Sequence, residues 1–126
     1  MSKRSPEATV RGFFEQIRSG QALHRAAEFL RPEVLAHQSE PGPAQTLTRS
    51  PQNYAEHVIE IRNEFGPFEL QLDECLADGD KVYLRWRQRS AAGITPVKEQ
   101  VASAVYRVED GCIAEYWIQV GAPGLA

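Results

Sequence analysis

Residues 101–121, VASAVYRVEDGCIAEYWIQVG, restrict the possible folds more than any other stretch of the chain. Asp110-Gly111 splits them into two arms in which apolar and polar side chains alternate. A two-residue type I′ turn needs φ > 0 at both central positions, and Asp-Gly meets that need. The pattern predicts an antiparallel pair, Lys98 to Glu109 and Cys112 to Val120. Whatever lies upstream must pack on one face of it.

The upstream chain supplies both helices and strands. Ser5-Pro6-Glu7 is a helix start: a serine cap, proline at the first helical position and an acid in the first turn. Val10, Phe13, Phe14 and Ile17 form one apolar face, with Arg11, Glu15 and Arg18 read as lying on the other side. Ser19-Gly20 ends the helix. A shorter helix is predicted from Leu23 to about Arg31, stopped by Pro32. Val34 to Gln38 reads as a short strand, with His37 on the face opposite Ala36. Ser39 to Arg49 has no periodicity and reads as a pocket rim or a plain connection. Ser50-Pro51 starts a third helix carrying Tyr54, His57, Val58, Ile61 and Phe65 on one stripe, and Gly66-Pro67 ends it. The period then switches to two. Phe68, Leu70 and Leu72 alternate with polar residues, and so do Val82, Leu84, Trp86 and Gln88 after the Asp78-Gly79-Asp80 turn. Segregated helices followed by hairpin-linked strands predict an α+β fold with a mostly antiparallel sheet.

The chain has 126 residues, which suggests one domain over 1–126. A net charge of -3 gives no reason to expect nucleic acid or an anionic membrane as partner. No apolar run approaches the roughly 20 residues of a membrane helix. The N-terminus lacks the apolar run of a signal peptide, and the expected setting is cytoplasmic. Cys75 and Cys112 stand in no metal spacing and read as free thiols, with a disulfide as the alternative. No motif for a metal or cofactor is present, so none is expected.

The phrases VRGFFEQIRSG, VLAHQSEPG, LADGDKVYLRWR and AVYRVEDGCIAEYWIQ span nearly the whole chain. Together with the element order they resemble the NTF2-like superfamily, and within it the SnoaL-like polyketide cyclase and ester cyclase group. The resemblance implies a cone of three N-terminal helices packed on a strongly curved, mostly antiparallel sheet that encloses a pocket. It also implies homodimers packed through the outer sheet face. Cyclases of this group use a carboxylate in the last strands to remove a proton next to a carbonyl. In the common phrase that acid directly follows the tryptophan; Ile118 stands there in this chain. A related subgroup has an aspartate two residues past the glutamine, and Gly121 stands there.

The candidate site residues are those expected to face the pocket. His57 shares a helical stripe with Tyr54, Val58 and Ile61, which makes it a general acid or base or a singly hydrogen-bonded core histidine. His37 is read as a pocket-wall partner for it or as a solvated strand-end residue. Tyr54 and Gln119 are candidate donors to a substrate oxygen, or buried polar groups satisfied by backbone. Trp86 and Trp117 read as aromatic walls or as core. Glu115 shares parity with Trp117 and Gln119, and stands as a substitute acid or a structural one. Arg85, Arg87 and Arg89 read as an anion stripe or as an outer face answered by acids such as Glu69 and Asp73. Two functions follow. One is a small-molecule enzyme acting on a hydrophobic carbonyl or polyketide-like substrate by proton transfer, giving cyclisation or isomerisation, with His57 and His37 catalytic and Tyr54, Trp86, Trp117 and Gln119 holding the substrate. The other is a non-catalytic module holding a small hydrophobic ligand. Epoxide hydrolysis, which in this superfamily uses a carboxylate–arginine–carboxylate set, is a weaker third.

Overall fold

A computed structural model describes residues 4–38 and 44–121. Six strands form one open, curved sheet in the order β2-β1-β6-β5-β4-β3. The strands are β1 (Leu30–Gln38), β2 (Gln45–Arg49), β3 (Phe68–Asp78), β4 (Lys81–Ser90), β5 (Glu99–Glu109) and β6 (Cys112–Val120). All pairings are antiparallel except β1 with β6. The helices are α1 (Pro6–Phe13), which runs into a π turn over Phe14–Arg18, a 3-10 helix over Leu23–Glu28, and α2 (Pro51–Phe65).

The expected hairpin is present. Asp110 and Gly111 both have positive φ, 52° and 79°, as a type I′ turn demands. Both predicted serine caps are made: Ser5 accepts from the Ala8 amide at 3.1 Å and Ser50 from the Asn53 amide at 3.0 Å. Bulges in β3, β5–β6 and β1 interrupt the ladders, and such insertions bend and twist a sheet.

Three local expectations are corrected. The second helix is one short 3-10 helix, and the chain is already a strand at Leu30. Pro32 therefore sits inside β1, but in the irregular stretch between Leu30 and Leu35 where no partner residue is paired with it, so its missing N–H costs no ladder bond. Part of the supposed loop is β2, a short polar edge strand whose first four residues are exposed; such a strand has no apolar alternation to read. Ser39 to Pro43, the rest of that stretch, lies outside the described residues, as does Pro123-Gly124. Third, α1 widens into the π turn. Each residue there advances less around the axis, and Arg18 rotates onto the apolar stripe with Ile17.

The core lies between the helices and the inner face of the sheet. Val10, Phe13, Phe14 and Ile17 are all buried. Phe13 packs its ring 5.2 Å from Tyr54 and 5.5 Å from Tyr106, so one side chain joins α1, α2 and β5. Each such burial contributes about 1.5–3 kcal/mol. On β4, Val82, Leu84, Trp86, Gln88 and Ser90 are buried and face the helices. The alternate Arg85, Arg87 and Arg89 face outward and are answered by Glu74, Asp73 and Glu99 across neighbouring strands. The arginine stripe is thus part of a paired outer surface.

Candidate functional site

Two concavities lie on opposite faces of the sheet. The inner one, about 520 Å³, is bounded by α2, the π turn and the inner faces of β4, β5 and β6. Its rim includes the exposed Glu64 and Lys98; its deep end meets the buried Arg18, Gln88, Tyr54 and Tyr116. Ile61, Ile118 and Val120 supply apolar wall. The outer one, about 470 Å³, is lined by His37, Thr46, Tyr83, Val105, Trp117 and Gln119 among others.

Strand parity explains the division. Tyr116, Ile118 and Val120 point inward from β6, so Glu115, Trp117 and Gln119 point outward. On β1, Ala36 is fully buried and His37 takes the other face. Of the candidate residues, His57 and Tyr54 therefore line the inner cavity, whereas His37, Trp117 and Gln119 line the outer one. His37 and His57 are not brought together. Trp86 is fully buried against the Phe14 ring at 5.5 Å and lines neither concavity.

In the inner cavity, the first turns of α2 place Tyr54 and His57 one helical turn apart, with ring centroids 6.0 Å apart. His57 is half-buried. Burial, then the Arg49 and Arg18 guanidiniums, push its pKa down to about 4, so it is neutral near pH 7. Burial pushes the Tyr54 hydroxyl well up, and Tyr54 stays a protonated donor. Arg18 Nη2 donates to Gln88 Oε1 at 2.7 Å, and its guanidinium stands over the Phe68 and Trp86 rings at 5.6 and 6.0 Å. Arg49 stands behind this wall. It donates to Asn53 Oδ1 at 3.0 Å and to Gln38 Oε1 at 3.4 Å, and hydrogen-bonds the Tyr116 hydroxyl.

The outer cluster is saturated with internal pairs. A carboxylate only accepts, so His37 Nε2 donates to Glu115 Oε2, at 2.6 Å, and Nδ1 shares a hydrogen bond with the Thr46 hydroxyl at 3.0 Å. Arg107 Nε donates to Glu115 Oε1 at 3.0 Å. The His37 hydrogen bond, then Arg107, holds the Glu115 carboxyl below its usual range. The His37 ring stacks on Trp117 at 5.2 Å with 16° between planes.

Sequence reading missed Arg18, which lines the cavity, and Arg49, which stands behind its wall. Arg18 was read on the solvent side although it follows the buried Phe14 by four residues, at the edge of the apolar stripe, and the π turn carries it further inward. Arg49 ends a polar edge strand with no pattern. Gln88 did carry a signal, since it continues the Val82, Leu84, Trp86 alternation.

The site can hold a mainly apolar molecule, donate hydrogen bonds to an oxygen, and offer an unprotonated imidazole. A family model described as SnoaL-like polyketide cyclase matches residues 8–125. Among solved structures, the chain is similar to wild-type IdmH, a candidate polyketide cyclase from Streptomyces antibioticus, at 22% identity, with a TM-score of 0.74 and 93% of this chain and 92% of that one covered. It is also similar to a candidate ketosteroid isomerase from Kribbella flavida, at 18% identity, a TM-score of 0.73, and coverage of 93% and 78%. An LEH-like epoxide hydrolase of M. tuberculosis matches at 16% identity, a TM-score of 0.68, and coverage of 91% and 81%. At these identities the likeness is one of fold. No curated protein matches the chain.

Proposed function

The chain belongs to the SnoaL-like polyketide cyclase family, and on that premise we propose that it is a small-molecule enzyme acting on a hydrophobic carbonyl compound in the inner cavity. His57 takes the proton next to the carbonyl, and the enolate oxygen develops against donors from Tyr54 and the Arg18 guanidinium. The observation that carries this reading is the imidazole itself: unprotonated, half-buried, and on one cavity wall with those donors. A base of pKa about 4 matches the carboxylates that do this work elsewhere. A low pKa limits its strength, but charge developing on the enolate next to Arg18 lowers the barrier from the other side. Cyclisation or isomerisation then depends on which carbon the enolate attacks or where the proton returns.

The test is deuterium exchange at the α-carbon of 2-tetralone in D₂O, followed by NMR. The expected result is acceleration over buffer, with a loss of roughly a hundred-fold or more in His57→Gln, while ketone binding by thermal shift is retained. Exchange no faster than buffer, or full exchange in His57→Gln, overturns the assignment.

One observation favours a second reading. Ile118 points into the inner cavity at the place where the family phrase carries its acid. A module that only binds an apolar ligand would need no acid there, and would bind 2-tetralone without exchanging it.

Homodimerisation through the outer face belongs to the same proposal. His37, Trp117, Val105, Tyr83 and Leu76 are successive cross-strand partners on that face. Trp117 is 39% exposed and Leu76 62%, which leaves an apolar row across four strands.

A further inference from the structure

The deep end of the inner cavity holds hydrogen-bond donors that no acceptor among the described residues meets. Arg18 is 7% exposed and Gln88 2%. The bond from Arg18 Nη2 to Gln88 Oε1 sets the two side chains next to each other and uses the amide oxygen. What remains is donor only: the buried Arg18 Nη1 and Gln88 Nε2 have no hydrogen-bond partner among the described residues, and both residues border the cavity. Among the described residues no carboxylate lies within 4.0 Å of Arg18 or of Arg49. Arg49 is itself 8% exposed with an unpartnered Nε. Two desolvated guanidiniums without a counter-charge are costly, and proteins offset such a cost by pairing the charge.

We infer that the inner cavity takes a small organic carboxylate, its two oxygens received by Arg18 Nη1 and Gln88 Nε2 and its hydrocarbon part laid along Ile61, Ile118 and Val120. A planar two-oxygen anion matches neighbouring N–H donors better than a single carbonyl oxygen does, and a guanidinium is the side chain best suited to it. The bond to Gln88 and the neighbouring Phe68 and Trp86 rings hold the guanidinium in place before the ligand arrives. The inference names the substrate class for the proposed function and rests on that reading only for the choice of cavity, not for turnover.

The test compares binding of 2-naphthoate and of its neutral ketone analogue 2-acetylnaphthalene at pH 7.5, by calorimetry. The wild type is expected to bind the carboxylate at least ten-fold more tightly. In Arg18→Gln the ratio falls to near one. Gln88→Met, which preserves volume, lowers carboxylate affinity several-fold without changing the ketone's, and serves as well should Arg18→Gln not fold. NMR titration of His57 supplies the location: bound carboxylate offsets the guanidiniums and raises the His57 pKa. Equal affinities, a preference that survives both variants, no binding by either compound, or an unmoved His57 titration overturns the inference. Carboxylate preference without 2-tetralone exchange removes the catalytic proposal and leaves this one standing; exchange without preference does the reverse.

Discussion

Single residues set the acid response. His57 has an ordinary pKa of 6.5 and a folded value of about 4, so the unfolded chain takes up its proton first. Stability from this residue is full above about pH 6.5 and falls as pH drops towards 4. The whole gap corresponds to on the order of 3 kcal/mol for a dry imidazole and less where water reaches it. Urea midpoints measured between pH 4 and 7.5 should therefore decline for the wild type and flatten for His57→Gln over the same window. Glu115 acts lower. Its carboxyl is held below 4.5, so its contribution is present above 4.5 and is lost as pH falls through its depressed value. A Glu115→Gln variant should thus have a lower midpoint than the wild type above about pH 4.5 and converge on it at the acid end. The residue scale is also where sequence reading was weakest. His57 was found because it lies on a helical stripe. Arg18, at the end of the π turn that follows α1, was placed on the wrong side because the π turn cannot be read from residue types.

At the scale of elements, caps and close approaches carry the stability arguments. The Ser50 side chain caps the start of α2, which holds both Tyr54 and His57. Ser50→Ala should cost about 1 kcal/mol, read as a lowered urea midpoint with unchanged slope. Gly12 marks a tight crossing. A Cβ added there would sit 2.6 Å from the Phe29 ring, and that ring is 2% exposed with little room to move. Gly12→Ala should therefore destabilise by about 1–3 kcal/mol despite better helix propensity, as thermal unfolding would show. Long periodic elements were legible from the sequence: α2 and the β5–β6 hairpin lie where period and turn chemistry put them. The end of the short helix begun at Leu23, its 3-10 form and the strand β2 were not, because one short turn of apolar residues does not fix a helix's type or length and a polar edge strand has no alternation.

For the whole molecule, the sheet separates two surfaces by face. The inner face holds the cavity, and the outer face holds an apolar row flanked by the His37–Glu115–Arg107 network. If the row is the contact between two copies, light scattering should give twice the chain mass at micromolar concentration. Trp117→Glu should give the monomer and leave ligand binding in the inner cavity unchanged. A wild type that stays monomeric as concentration rises would remove the proposal.

The α+β class, the hairpin and the inward stripe of α2 were determined by the sequence alone, because each rests on local periodicity and turn stereochemistry. Which polar groups meet was decided by tertiary structure. Strand parity sent His37, Trp117 and Gln119 to one side of the sheet and Ile118 to the other. A π turn brought Arg18 beside Gln88, residues 70 positions apart. Side-chain type says what a residue can do; burial and neighbours, which are non-local, set its charge and its partners.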